Sequence, residues 1–255
     1  MPITAVTGSA SGIGAALCRQ LREAGHQIIG IDRAGADVNA DLSTPAGRAE
    51  AVRQVLEKSG GVLDHLVLCA GLGVTAPSSG LIVAVNYFGV SALLDGLAEA
   101  LGKGNSPSAV VVGSVASVQP GADRLEMVEA MLAGDEEAAV AGANQLNEPS
   151  MAYAGSKYAA SVLVRRKVHE WAKLGIRLNV VAPGVVETPL YKASTEDPKY
   201  GEATRNFVAP LGRGSQPDEL AGVIRFLLSE QASFMHGTVV FADGGMDAMM
   251  RPNRF

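Results

Sequence analysis

Short apolar runs built around Val, Ile and Leu punctuate the chain at positions 3–7, 27–31, 65–69, 109–114, 177–182 and 238–242. Polar alternation within them is slight, the pattern expected of strands covered on both faces in a parallel sheet. A shorter strand is expected at 37–40. Helical spacing of apolar residues fills the intervals over 13–24, 45–58, 81–101, 151–174 and 217–228. This alternation predicts an α/β fold: a doubly wound, mostly parallel sheet with helices on both faces and right-handed crossovers. No repeat or linker interrupts it, so residues 1–255 are expected to form one domain.

Two segments break the rhythm, 115–149 and 187–216, both longer than the roughly 12–15 residues of an ordinary connection. Each follows the carboxyl end of a strand, where open α/β sheets bind ligands, so both are expected to border a substrate. In the first, an inserted helical segment at about 119–149, Leu125, Val128 and Leu132 share one helical face, and Gly134-Asp135 reads as a stop and restart. The insertion could form a substrate wall, obstruct a helix-mediated pairing face, or be a surface hairpin. Its acids, Asp123, Glu126, Glu129, Asp135, Glu136 and Glu137, are expected to form a solvated face.

Composition narrows the function classes. There are 21 basic and 26 acidic residues, a net charge of −5, which argues against nucleic-acid binding. Cys18 and Cys69 lie in apolar stretches and are expected to be buried, reduced thiols, as in a cytoplasmic protein. The first strand is expected to begin at Ile3 with no signal peptide before it. No run approaches the ~18 apolar residues of a membrane span. His26, His65, His169 and His236 have no metal-ligand company, and no metal is assigned.

The strand-to-helix turn Thr7-Gly8-Ser9-Ala10-Ser11-Gly12-Ile13-Gly14 is glycine-rich. Glycines there allow a tight turn and let phosphates approach the backbone, where the helix presents free N–H groups. Asp32 ends the second predicted strand, 18 residues after Gly14. A carboxylate at that distance can hydrogen-bond the adenosine ribose hydroxyls and repel a 2′-phosphate. Arg33 beside it would suit NADP, and NAD is the expected cofactor.

Tyr153 and Lys157 stand four apart where a helix opens, so their side chains share a face. A lysine ammonium beside a phenol, with the positive charge of the nicotinamide, would draw its pKa down from about 10 toward the working range of an acid–base group. Taken with the glycine turn, Ser114 at a strand end, Val85-Asn86-Tyr87-Phe88-Gly89, Pro183-Gly184 and Asp243-Gly244-Gly245, this pair resembles the short-chain dehydrogenase/reductase family across the whole chain. The resemblance implies a Rossmann fold and an NAD-dependent oxidoreductase in which Tyr153 transfers the proton, Ser114 binds the substrate oxygen, and Lys157 holds the nicotinamide ribose.

Further roles are also implied by the resemblance. Asn86 would support a water-mediated proton path to Lys157, although a capping or packing role is also open. Gly8, Ser9, Ser11, Gly12, Ile13, Gly14 and Asp32 would contact the cofactor, as would Asp41-Leu42 beside the adenine. Ala70-Gly71 would let the cofactor approach, and Pro183, Val186 and Thr188 would line its carboxamide end. Cys69 stands where the family usually has Asn, so any hydrogen bond made by that Asn is lost.

The long step from Ser114 to Tyr153, 39 residues, and the segments 68–73, 200–202 and 243–252 resemble a bacterial branch of the family acting on 3α-hydroxysteroids and carbonyl compounds. The partner is therefore expected to be a small-molecule apolar substrate, a bulky ketone or alcohol, with 3-keto and 3α-hydroxy steroids favoured. Segments 115–118, 185–190 and 246–250 are the candidate apolar walls. Met246, Met249 and Met250 suit either a pliable pocket or core packing. A 3-oxoacyl-thioester reductase, a general short-chain alcohol dehydrogenase and a catalytically silent nucleotide-binding regulator are the rival readings. The insertion precedes one of the helices through which the family commonly pairs, and a homodimer is expected.

Overall fold

The computed structural model describes residues 1–254. Seven strands form one all-parallel sheet: β1 (Ile3–Thr7), β2 (Gln27–Asp32), β3 (Val38–Asn39), β4 (His65–Leu68), β5 (Ser108–Val112), β6 (Arg177–Pro183) and β7 (Val239–Ala242). Their spatial order is β3-β2-β1-β4-β5-β6-β7, so the order reverses direction between β1 and β4. Thr7 is paired with both Ile31 and Leu68, which puts the ends of β2, β1 and β4 level with one another. The crevice that binds ligands in open sheets lies at such a reversal.

The helices are α1 (Gly12–Glu23), α2 (Pro45–Ser59), α3 (Ser79–Val83), α4 (Val90–Gly102), α5 (Glu126–Ala133), α6 (Glu136–Leu146), α7 (Pro149–Arg166), α8 (Val168–Lys173), α9 (Pro189–Glu196), α10 (Gly201–Asn206), α11 (Pro217–Leu228) and α12 (Met246–Met250). The unbroken apolar runs are explained by the pleat, which sends neighbouring residues to opposite faces. Ala5, Leu66, Leu68, Ala109, Val111, Leu178 and Val180 join the core shared with α2, α4 and α7. Val6, Val67, Val110, Val112 and Val181 face Leu17, Leu21, Leu220, Ile224 and Leu227 of α1 and α11.

Several boundaries differ from the sequence expectation. β5 stops at Val112, and Ser114 caps a short 3-10 turn at Val115–Val118, its Oγ accepting from the Ala116 N–H at 3.1 Å. The helix expected at 151–174 is α7 and α8, separated at Lys167. The one expected at 81–101 starts at Ser79 and contains a π-helical turn, Ala84–Gly89, between α3 and α4. The continuous helix Ser79–Gly102 also corrects the reading on membrane spans. It is long and apolar enough to cross one, with mean hydropathy 1.7, because averaged hydropathy passes over the isolated polar residues Asn86 and Asp95 that interrupt an apolar run. In the fold, 61% of its most apolar window is buried.

The insertion forms α5 and α6. Gly134 breaks between them at φ +81°, and the Asp135 carboxylate caps α6 by accepting from the Ala138 N–H at 3.0 Å. The pair lies on the outer surface of α3 and α7. A Cβ on Gly155 of α7 would stand 2.8 to 3.1 Å from the side chains of Met127, Leu125 and Val128, so the helices meet at a residue with no side chain. Gln119 is the only residue of 119–149 that lines the central cleft, which removes the substrate-wall reading for the rest of the insertion.

Candidate active site

The glycine turn after β1 is held in a conformation few other residues adopt: Gly8 has φ +67° and Gly12 φ +51°. A Cβ on Gly14 would sit 2.1 Å from the Gly8 carbonyl oxygen, so the first turn of α1 presses directly on the loop. The amino end of α1, with its free N–H groups and positive dipole end, thereby faces the cleft. Ser9 is the exception among the predicted cofactor residues. Its Oγ is turned back onto Gly30, and Ser9 does not line the cleft.

Asp32 at the end of β2 is oriented by two main-chain donors: Oδ2 accepts from Ala10 N–H at 3.0 Å and Oδ1 from Arg33 N–H at 2.7 Å. Asp41 and Leu42 line the same end of the cleft. The Asp41 carboxyl is held below its ordinary range by hydrogen bonds from Ser43. After β4, the Ala70 N–H donates to Thr7 Oγ1 at 3.0 Å, a bond that ties the ends of β1 and β4 together where the Cys69 side chain offers no amide. Burial pushes the Cys69 thiol up, so it stays protonated.

Ser114, Tyr153 and Lys157 meet at the centre of the cleft, beyond the ends of β5 and β6. Lys157 is buried at 5% exposure, and its Nζ donates to the Val112 carbonyl at 2.8 Å. Desolvation pulls its pKa down to about 8. Burial raises the Tyr153 phenol, with the Ser114 hydroxyl offsetting part of the effect. The expected lowering combines the Lys157 ammonium with the nicotinamide positive charge, and burial outweighs the ammonium taken alone. The ammonium lies 5.9 Å from the ring centroid and is committed to a main-chain oxygen.

Asn86 is fully buried behind the cleft, in the π-helical turn. Its Oδ1 accepts from Leu72 N–H at 2.8 Å, and its Nδ2 donates to Leu72 O at 3.0 Å and Ser156 Oγ at 3.2 Å. Ser156 in turn donates to the Tyr153 carbonyl at 2.8 Å. The side chain ties the cleft floor to the turn of α7 that carries Tyr153. A Cβ on Gly71 would lie 3.3 Å from Asn86 Oδ1 and 3.4 Å from Lys157 Nζ, which places the three groups around one point.

All the other predicted cofactor residues line one continuous cleft of about 780 Å³: Gly8, Ser11, Gly12, Ile13, Gly14, Asp32, Asp41, Leu42, Ala70, Gly71, Pro183, Val186 and Thr188. Its outer walls are mainly apolar, with Val115, Val185, Leu190 and Met250 among the expected segments. Met246 instead packs in the core with Val115 and Ala209, and Met249 is exposed. Sequence reading missed Tyr200, Ala203, Thr204 and Phe207, on α10 and at its two ends, which also line the cleft. Helices as short as α9 and α10 carry too few turns for apolar periodicity to register. Among the described residues, no three His, Cys, Asp or Glu side chains gather as metal ligands.

Known proteins agree with this arrangement. Residues 2–125 match the family model described as short chain dehydrogenase, and 137–247 match one described as Enoyl-(Acyl carrier protein) reductase. The chain is 48% identical, over the full length of both proteins, to a 3-alpha-hydroxysteroid dehydrogenase/carbonyl reductase of Comamonas testosteroni. It is 32% identical to a coniferyl-alcohol dehydrogenase of a Pseudomonas species, covering 94% of each chain. A crystal structure of a 3-alpha-hydroxysteroid dehydrogenase from Pseudomonas sp. B-0831 complexed with NADH has 66% identity and a TM-score of 0.98, over 99% of this chain and 100% of that one. The protein belongs to the short-chain dehydrogenase/reductase family.

Proposed function

We propose that this protein is an NAD-dependent oxidoreductase that interconverts 3α-hydroxysteroids and 3-ketosteroids and also reduces other apolar carbonyls. One observation carries the reading: a single cleft joins the glycine turn and Asp32 at one end to Ser114, Tyr153 and Lys157 and then to an apolar wall. The names of the two steroid dehydrogenases, one of them bound to NADH, support the same substrate and cofactor. The activity resides in one domain, residues 1–255 with the inserted helices, working as a cytoplasmic homodimer.

The donor set fits a dinucleotide. The α1 amides suit a pyrophosphate, the Asp32 carboxylate suits a ribose diol without a 2′-phosphate, and Lys157 keeps two N–H donors for the second ribose beyond its bond to Val112. Bound nicotinamide supplies the hydride acceptor or donor. In oxidation, Tyr153 takes the proton from the substrate hydroxyl, and in reduction it returns one to the forming alkoxide. Ser114 donates to that oxygen and stabilises its developing charge. The remaining wall is mainly apolar, which favours a rigid fused-ring ligand by roughly 25 cal/mol per Å² buried, before ordering costs.

NADH formation from a 3α-hydroxysteroid, its 3β epimer and a small secondary alcohol tests the proposal. The 3α epimer should have the highest kcat/KM, and equal values for all three would remove the steroid assignment.

A further inference from the structure

The insertion reaches beyond the face of α7. At the start of α6, Glu136 presents both carboxylate oxygens to Arg48 Nη2 of α2, at 2.7 Å each. Arg48 is 4% exposed, and its guanidinium stands 5.9 Å from the Phe88 ring centroid in the π-helical turn. Its Nε donates to the Thr44 carbonyl at 3.2 Å. The Thr44 N–H and hydroxyl both donate to the Asp41 carbonyl, each at 3.3 Å. Asp41 and Leu42 then form the wall of the cleft at its Asp32 end.

We propose that Glu136 is a positioning residue that, through Arg48 and Thr44, sets the Asp41-Leu42 wall and so the affinity for the adenosine half of the dinucleotide. The inference rests on the cofactor reading above. The linkage has little slack: a Cβ on Gly47 would sit 2.0 Å from the Asp41 carbonyl oxygen, so the first turn of α2 bears directly on that residue. A shift of α2 must therefore move the wall, as close-packed elements transmit displacement. A buried guanidinium also needs its partner, because an unpaired charge there is strongly disfavoured. Glu136→Gln leaves the side chain its size but removes the charge that holds Arg48.

The test is calorimetric titration of wild-type protein and Glu136→Gln with ADP-ribose and, separately, with nicotinamide mononucleotide, alongside kcat and KM for NAD. Thermal melting checks that the variant is folded. The ADP-ribose Kd should rise on the order of fivefold, with nicotinamide mononucleotide affinity and kcat at saturating NAD unchanged. Unchanged ADP-ribose affinity, or equal weakening of both ligands, would overturn the proposal. Should Glu136→Gln not fold, Glu136→Asp, which keeps the charge and shortens the reach, is judged by the same two outcomes. Failure of the wild-type protein to bind ADP-ribose would instead remove the cofactor reading itself.

Discussion

Lys157 is anchored to Val112: the ammonium donates to that main-chain oxygen at 2.8 Å. Its position is therefore set by the end of β5 and does not depend on the Tyr153 hydroxyl. Tyr153→Phe should leave NADH binding nearly intact while turnover falls on the order of 10²-fold or more, as loss of a proton-transfer group predicts. Fluorescence titration with NADH and steady-state rates measure the two effects separately. A variant keeping half the wild-type turnover would sink the assignment of Tyr153.

Cofactor choice is expected to follow Asp32, whose carboxylate is fixed by the Ala10 and Arg33 N–H groups. Asp32→Ser removes a negative charge from the place a 2′-phosphate would occupy and leaves Arg33 next to it. The ratio of kcat/KM for NADPH to that for NADH should rise. Wild-type protein that already prefers NADPH would contradict this account.

His65 makes stability pH-dependent far from the cleft. Its ring lies 5.5 Å from that of His26 and its Nδ1 is 3.0 Å from Ser108 Oγ, with Asp64 and Arg177 as the charged groups acting on it. Burial first, then His26, lowers its pKa from 6.5 to about 4. The unfolded chain therefore takes up this proton before the folded one, and stability is lost as pH falls from about 6.5 to 4. Between pH 7.5 and 5 the contribution is about 2 kcal/mol. Urea denaturation at both pH values should show a drop smaller by that amount in His65→Gln, and an equal drop in both proteins would refute the prediction.

Assembly should stop at a homodimer. α5 and α6 cover the outer surface of α3 and α7, with Gly155 enclosed by Leu125, Met127 and Val128, so that surface is closed to a second subunit. Pairing must then use another face. Sedimentation at micromolar concentration should give a dimer mass, and a tetramer would contradict the role given to the insertion.

The strand runs, the glycine turn, Asp32 and the Tyr153–Lys157 spacing were all legible in the sequence, because each depends on local stereochemistry. Burial on both faces makes a strand uniformly apolar, a phosphate-binding turn needs glycine where φ is positive, and a four-residue step puts two side chains on one helical face. Even the break between α5 and α6 is local, a glycine followed by a capping aspartate. Other features required partners distant in sequence. Whether Asn86 faced the cleft or the core depended on Leu72 and Ser156, and the direction of the Tyr153 shift depended on burial that no spacing reports. The insertion's site was decided by how α5 and α6 pack on α7, and the Glu136–Arg48 pair joins residues 88 positions apart. Side-chain pattern reports which face of an element is buried, but only the packed chain decides what that face is buried against.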